Sequence, residues 1–270
     1  MISVTDLTSY IYCPRKLFLK LVMKYKEPPK NVTVLGILKH EMFDRINKNE
    51  ELIVTSINKP MPTEEIEILY RKNYADMLIG TLRNMKRQIL SVNLSPPEVF
   101  NETWDFFLEE AELRAINLSN FIDENNLFGK DLWEALIPKI LSEVKIVSEK
   151  LGLVGRLDKI EIENENYRPV DLKTGSPPKS DIWQDQKIQL SAYALLIEEK
   201  FDTNVDYGYI EYLKTREKRR LYINPFMKEN VKILINEVNN LIKANKLPDK
   251  IENINKCNYC GLRAECYKLN

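Results

Sequence analysis

Asp158, Asp171 and Lys173 are the residues of this chain whose types and spacing could act together on a substrate. Hydrolysis of a phosphodiester needs a cation to stabilise charge at phosphorus and a deprotonated water to attack. Carboxylates are the hard oxygen ligands that Mg²⁺ or Mn²⁺ prefers. In PVDLKTG, Asp171 and Lys173 are two apart and share one face of a strand. The carboxylate can hold an ion while the ammonium positions water or phosphate. Asp158 lies in GRLDKI, one strand earlier. A turn centred on Asn164–Glu165 pairs residues whose numbers sum to 329, which sets Asp158 opposite Asp171 with Cβ atoms about 4.5–5.5 Å apart. A slip of one residue would undo this. Gln189 and Tyr193 follow in QLSAY at i, i+4, on one face of a helix. An isolated Asp-x-Lys is usually a solvated strand face; here it has a second aspartate before it and a Gln/Tyr helix after it.

The second group is thiolate. Cys257, Cys260 and Cys266 fall within ten residues, and Cys13 is the only other cysteine. A Cys-x-x-Cys loop presents two sulfurs to one centre, and the third sulfur suits the same centre. A closed tetrathiolate site needs a fourth ligand, and Cys13 is the sole candidate. Zinc and a [4Fe–4S] cluster both accept four thiolates, so spacing leaves the choice open. His40 is the only histidine, and spacing alone reads it as a polar residue on a helix flank.

Strands must carry the carboxylates. EVKIVSEK, LVGRLDKIEI and YRPVDLK read as three strands from their β-branched content and alternation. SDIWQDQKIQLSAYALLIEEK reads as an amphipathic helix with Ser180 as its N-cap. NVDYGYIEYL and KRRLYINP read as a further hairpin, and residues 225–246 as a last long helix. Between the hairpin strands, KTREKRR packs Lys214, Arg216, Lys218, Arg219 and Arg220 into seven residues. That run is either a solvated tip or a phosphate contact. Near the N-terminus, Ser3 and Asp6 form a capping box for a helix through Tyr10, and Pro14 ends or kinks it. Helices are expected over 15–23 and 33–48. From 63 to 142 the pattern is almost wholly helical: one helix capped by Thr63, one from Glu98 to Ile122, and one over 131–141 interrupted at Pro138.

With 270 residues, 44% hydrophobic and 30% charged, the chain can bury a real core and is not disordered. No apolar run approaches the ~20 residues of a membrane helix, and the N-terminus shows no basic leader, so a cytoplasmic protein without membrane contact is expected. Forty basic residues balance 40 acidic ones, so any nucleic-acid contact must use local patches. Four cysteines in such a chain point to metal or redox chemistry rather than disulfides.

Together these segments resemble the CRISPR-associated RecB-like exonucleases of the Cas-four family, within the PD-(D/E)xK superfamily. The matching pieces are YCPRKLFL, the helix histidine, GRLDKI, PVDLKTG, QLSAYALLIEE and CNYCGLRAEC, which span nearly the whole chain outside 63–142. The resemblance implies an α/β (α+β) restriction-endonuclease-like core with a mixed sheet flanked by helices. Residues 31–62 and 143–244 would form that core, 63–142 a helical insertion, and 1–30 with 245–270 an iron–sulfur module joining the termini. It also implies a [4Fe–4S] cluster on Cys13, Cys257, Cys260 and Cys266. A Mg²⁺ or Mn²⁺ site would use His40, Asp158, Asp171 and the Leu172 carbonyl. Lys173 would be catalytic, with Gln189 and Tyr193 positioning the lysine and DNA. The implied activity is metal-dependent DNA exonuclease action on ends or single strands for spacer acquisition, beside the adaptation integrase complex, with oligomers possible. A stand-alone repair nuclease and a weakly catalytic DNA-end-binding scaffold are the competing readings. Asp171 stands where many members have Glu, the helical stretch is long for a minimal member, and the sequence holds no Walker A motif.

Overall fold

The computed structural model describes residues 1–269. The chain divides into two compact units, one of Met1–Pro28 with Glu143–Asn270 and one of Pro29–Ser142. The elements in chain order are β1 (Ile2–Ser3), α1 (Val4–Tyr12), α2 (Pro14–Leu21), α3 (Asn31–Thr55), α4 (Thr63–Asn84), α5 (Lys86–Leu90), α6 (Pro96–Asn125) and α7 (Gly129–Ala135). There follow β2 (Lys139–Ser148), β3 (Leu153–Glu163), β4 (Asn166–Lys173), α8 (Gln184–Phe201), β5 (Tyr207–Tyr212), β6 (Glu217–Tyr222), α9 (Pro225–Ala244), α10 (Ile254–Asn258) and α11 (Arg263–Lys268).

The first unit is an α/β body on a mixed sheet in the order β1-β3-β4-β5-β6, with β2 also pairing β3. β1 runs parallel to β3, β3 antiparallel to β4, β4 parallel to β5, and β5 antiparallel to β6. The β3–β4 turn is Asn164–Glu165, both at positive φ (47° and 61°), the primed geometry that matches strand twist in a two-residue hairpin. Its register is the expected one: Lys159 faces Val170, and Glu163 faces Asn166. α8 packs on β3, β4 and β5. Gly155 permits that approach, since a Cβ there would meet Leu196 Cδ1 at 2.6 Å, and Gly208 on β5 leaves room for Pro169 of the neighbouring β4, which a Cβ would meet at 2.8 Å. The core between sheet and helices includes Leu7, Leu17, Leu157, Leu190, Ile210 and Val231, all buried.

The second unit is helical. α4 packs on α3, α5 and α6, and α3 also on α7. Tyr70, Tyr74 and Phe107 are fully buried. Glu50 accepts from the Tyr70 hydroxyl at 2.6 Å and from Arg114 at 2.6 Å. Burial alone would pull the Arg114 guanidinium down, but Glu50 and Glu110 hold it charged.

Most helix ends follow local chemistry. Ser3 and Asp6 make the expected capping box on α1, and Ser95 with Glu98 makes another on α6. Three local expectations fail. Thr63 is the first helical residue, preceded by Pro62, and its hydroxyl bonds Ser119 instead of capping. The third helix stops at Ala135, and the chain is already a strand at Lys139. Ser180 lies in a loop, and α8 begins at Gln184 behind Trp183 without a side-chain cap. No described helix is long and apolar enough to cross a membrane.

Candidate active site

β3 and β4 carry the two carboxylates to one place. The register from Lys159↔Val170, extended by one residue, sets Asp158 opposite Asp171. The ladder gives way at this step, and the Asp158 carboxylate accepts the Leu172 N–H at 2.8 Å. Asp171 is 1% exposed, whereas Asp158 is half-buried. Lys173, two residues along, pairs with Asp171 Oδ2 at 2.7 Å.

α8 supplies the frame. Gln189 Nε2 donates to Asp171 Oδ1 at 2.6 Å and to the Tyr193 hydroxyl oxygen at 3.0 Å, and its Oε1 accepts from Lys173 Nζ at 2.8 Å. Tyr193 donates its own proton to the Arg156 carbonyl at 2.9 Å. These partners fix the amide orientation, because the reverse would set its oxygen against the carboxylate and its NH₂ against the ammonium. Burial would lower Lys173, but the Asp171 charge and hydrogen bond, then Asp158, raise it above the usual lysine range. Lys173 is therefore held as an ammonium. Tyr193 is pushed well up by burial and by both aspartates, so it is a neutral phenol.

The row of the sheet that holds Asp171 continues through Ile210 to Arg219. Strand alternation therefore splits the basic run. Arg219 shares the carboxylate face, where Glu217 holds it in a fork at 2.7 and 3.2 Å. Lys218 and Arg220 point to the opposite face. There Lys218 pairs with Glu161 at 2.6 Å, and Arg220 lies against the rings of Tyr207, Tyr209 and Tyr222.

Sequence reasoning missed Glu143. It is a half-buried residue within β2 at φ 51°, and one of its carboxylate oxygens lies within 4.8 Å of one on Asp158. Nothing in strand periodicity singles it out. Its Oε2 also faces Arg156 Nη1 at 3.3 Å. His40 is half-buried on α3 of the helical unit.

The four cysteines, all unbridged, line one cavity with Tyr12 and Lys16. Cys13 lies between α1 and α2, and its Sγ accepts the Lys16 N–H at 3.4 Å. Burial is the main cause raising its thiol pKa, and backbone N–H groups offset it in part. The Tyr12 hydroxyl donates to the Lys256 carbonyl at 2.7 Å across 244 residues. Arg15, also missed, is buried to 4% exposure. It donates Nε to Cys266 Sγ at 3.2 Å, Nη1 to the Pro248 carbonyl at 2.7 Å, and Nη2 to the carbonyls of Cys266 at 3.3 Å and Leu269 at 2.7 Å. One guanidinium thus ties the C-terminal segment to α2. The signal for it was its place two residues after Cys13.

The hairpin aspartates, the lysine and the supporting glutamine meet at one place on an α/β sheet. Residues 1–267 match the PD-(D/E)XK nuclease superfamily, and the chain belongs to it. Among curated relatives, a CRISPR-associated exonuclease Cas4/endonuclease Cas1 fusion of Leptospira interrogans is 26% identical over 170 residues, covering 60% of this chain and 30% of the relative. The CRISPR-associated exonuclease Cas4 of Rhodospirillum rubrum is 25% identical over 126 residues, 46% of this chain and 38% of that protein. The DNA replication ATP-dependent helicase/nuclease DNA2 of Gallus gallus is 24% identical over 295 residues, 99% of this chain and 28% of that protein. The chain thus spans about a third of the length of these relatives.

Proposed function

We propose that the chain is a metal-dependent DNA exonuclease acting on ends or single strands, in the setting of CRISPR spacer acquisition. The observation that carries the reading is the network of Asp171, Lys173, Gln189 and Tyr193, with Asp158 fixed beside it on the Leu172 N–H. The donor set fits a hard divalent cation, since Asp158 and Asp171 bring carboxylate oxygens to one step of the hairpin. Mg²⁺ or Mn²⁺ would be held by those two residues, with His40 and the Leu172 carbonyl as further ligands by resemblance to the family. When bound, the cation supplies charge stabilisation at phosphorus and makes a bound water more acidic. Lys173 acts as a donor to the attacking water or a phosphate oxygen, because Asp171 keeps it an ammonium. Gln189 holds that ammonium and Asp171 at fixed separation, and Tyr193 anchors Gln189 to β3.

Charge distribution supports DNA on the sheet-bearing unit. The helical unit has 13 basic and 18 acidic residues, net −5, which leaves the other unit with 27 and 22, net +5. The formal neutrality of the chain conceals this division.

For the thiolate cavity, four thiolates suit a [4Fe–4S] cluster or zinc, and the resemblance to the family favours a [4Fe–4S] cluster on Cys13, Cys257, Cys260 and Cys266, which line one cavity. The cluster would tie the chain ends together.

Two of the relatives are CRISPR-associated exonucleases by name, one of them fused to the endonuclease Cas1, which supports a CRISPR integrase complex as partner. A repair nuclease is the second reading, favoured because the helicase/nuclease relative aligns over 99% of the chain, helical unit included. The test is digestion of linear and circular single-stranded DNA with Mn²⁺, with and without purified integrase. Loss of linear DNA alone is the expected result. Digestion of circles at the same rate would reject an exonuclease, and no digestion of either would leave the scaffold reading.

A further inference from the structure

We propose that Glu143 is a third carboxylate ligand of the divalent-metal site, an inference that rests on the metal-dependent reading above. Three features of the sheet-bearing unit carry it. First, one Glu143 oxygen and one Asp158 oxygen lie within 4.8 Å of each other. In an octahedral Mg²⁺ shell with bonds of about 2.0–2.1 Å, neighbouring oxygens are about 3 Å apart and opposite ones about 4.2 Å, so the two carboxylates are close enough to share one ion.

Second, Glu143 aims at this point through an unusual backbone. It takes φ 51° inside β2, a strained conformation for a non-glycine residue. A strand that needed only to pair with β3 would place an asparagine or glycine there. The left-handed residue breaks the alternation and turns the side chain toward Asp158, as bulges beside active sites do.

Third, the Asp158 carboxylate is already oriented by the Leu172 N–H. Glu143, its side chain 19% exposed, therefore lies beside a ligand that is already set.

The experiment measures Mn²⁺ binding without DNA, by calorimetry and by the electron paramagnetic resonance signal of free Mn²⁺. It compares wild type with Glu143→Gln, Arg156→Gln and Asp158→Asn. Glu143→Gln keeps side-chain length and removes the charge, and a thermal melt checks that it folds. The expected result is a dissociation constant raised about 10- to 100-fold in Glu143→Gln. Arg156→Gln, which keeps the backbone carbonyl that holds Tyr193, should bind Mn²⁺ as tightly as wild type or tighter. Wild-type affinity in Glu143→Gln, with affinity lost in Asp158→Asn, overturns the role of Glu143 and leaves the metal site standing. An equal loss in Glu143→Gln and Arg156→Gln overturns it in favour of the ion pair. Wild-type protein that binds no Mn²⁺ removes both this assignment and the reading beneath it.

Discussion

Within one unit, the carboxylate site and the thiolate site are assembled over very different lengths of chain. Asp158, Asp171, Lys173, Gln189 and Tyr193 come from one hairpin and the next helix, within 36 consecutive residues. The thiolates come from opposite ends of the chain, held by Arg15 and by the Tyr12–Lys256 bond. The first site is fixed by strand register and by a helix seated on Gly155. The second depends on long-range closure, whose entropy must be offset by contacts at the junction. A local site loses chemistry when a residue changes but keeps its fold. A site made from chain ends loses its fold as well.

The largest expected effect is on the local site. Replacing both Asp158 and Asp171 with Ala should reduce cleavage by roughly a thousandfold or more, since several kcal/mol of charge stabilisation goes with the ion. The melting temperature should fall less than in a cysteine variant, because the Lys173 ammonium left without Asp171 keeps partial exposure to water. A fall comparable to that of a cysteine variant would blur the distinction between the two sites.

Next is the thiolate site. Cys266→Ser should remove iron from anaerobically purified protein and lower the melting temperature. Limited proteolysis should then cut first after Ala244, where α9 ends. Intact iron content and an unchanged digestion pattern would show that Cys266 is not a ligand.

An intermediate effect is expected from the frame of the carboxylate site. Gln189→Ala should slow cleavage about 10- to 100-fold, in line with the loss of a group that orients a metal ligand. Tyr193→Phe should have a smaller effect in the same direction, because Gln189 keeps its bonds to Asp171 and Lys173. A Tyr193→Phe variant slower than Gln189→Ala would reverse the assigned order.

The smallest effect separates the two faces of β6. Arg219→Ala should lower the salt dependence of DNA binding by roughly one unit of slope for one lost phosphate contact. The Lys218→Ala/Arg220→Ala pair should leave the slope unchanged, since both project from the other face. Equal effects would mean that DNA follows the edge of the sheet rather than its catalytic face.

Much of the carboxylate site was legible because hairpins obey arithmetic. A two-residue turn at Asn164–Glu165 fixes every pair along β3 and β4, and the i, i+4 spacing of Gln189 and Tyr193 fixes one helix face. Glu143 was not legible, because a left-handed residue within a strand is nothing that glutamate advertises. β1 was too short for a pattern, and the helix read over 131–141 failed because Pro138 ends the helical signal without showing that a strand starts one residue later. Ser180 was a good cap in isolation, but Trp183 opens α8 where the helix packs against the sheet. The four cysteines were legible by count, whereas the Arg15 clamp required knowing that Pro248 and Leu269 come back to α2.

The central claim is that Lys173 acts as a fixed ammonium beside a carboxylate metal site without being a ligand. Single-turnover cleavage of a short labelled strand with Mn²⁺, together with Mn²⁺ titration, tests it in Lys173→Ala. The account predicts that metal and DNA affinity stay within about threefold of wild type, a shift of about 0.65 kcal/mol, while the cleavage rate falls by at least a hundredfold, about 2.7 kcal/mol of barrier. Cleavage by Lys173→Ala at the wild-type rate would contradict it, as would loss of Mn²⁺ binding in step with loss of cleavage.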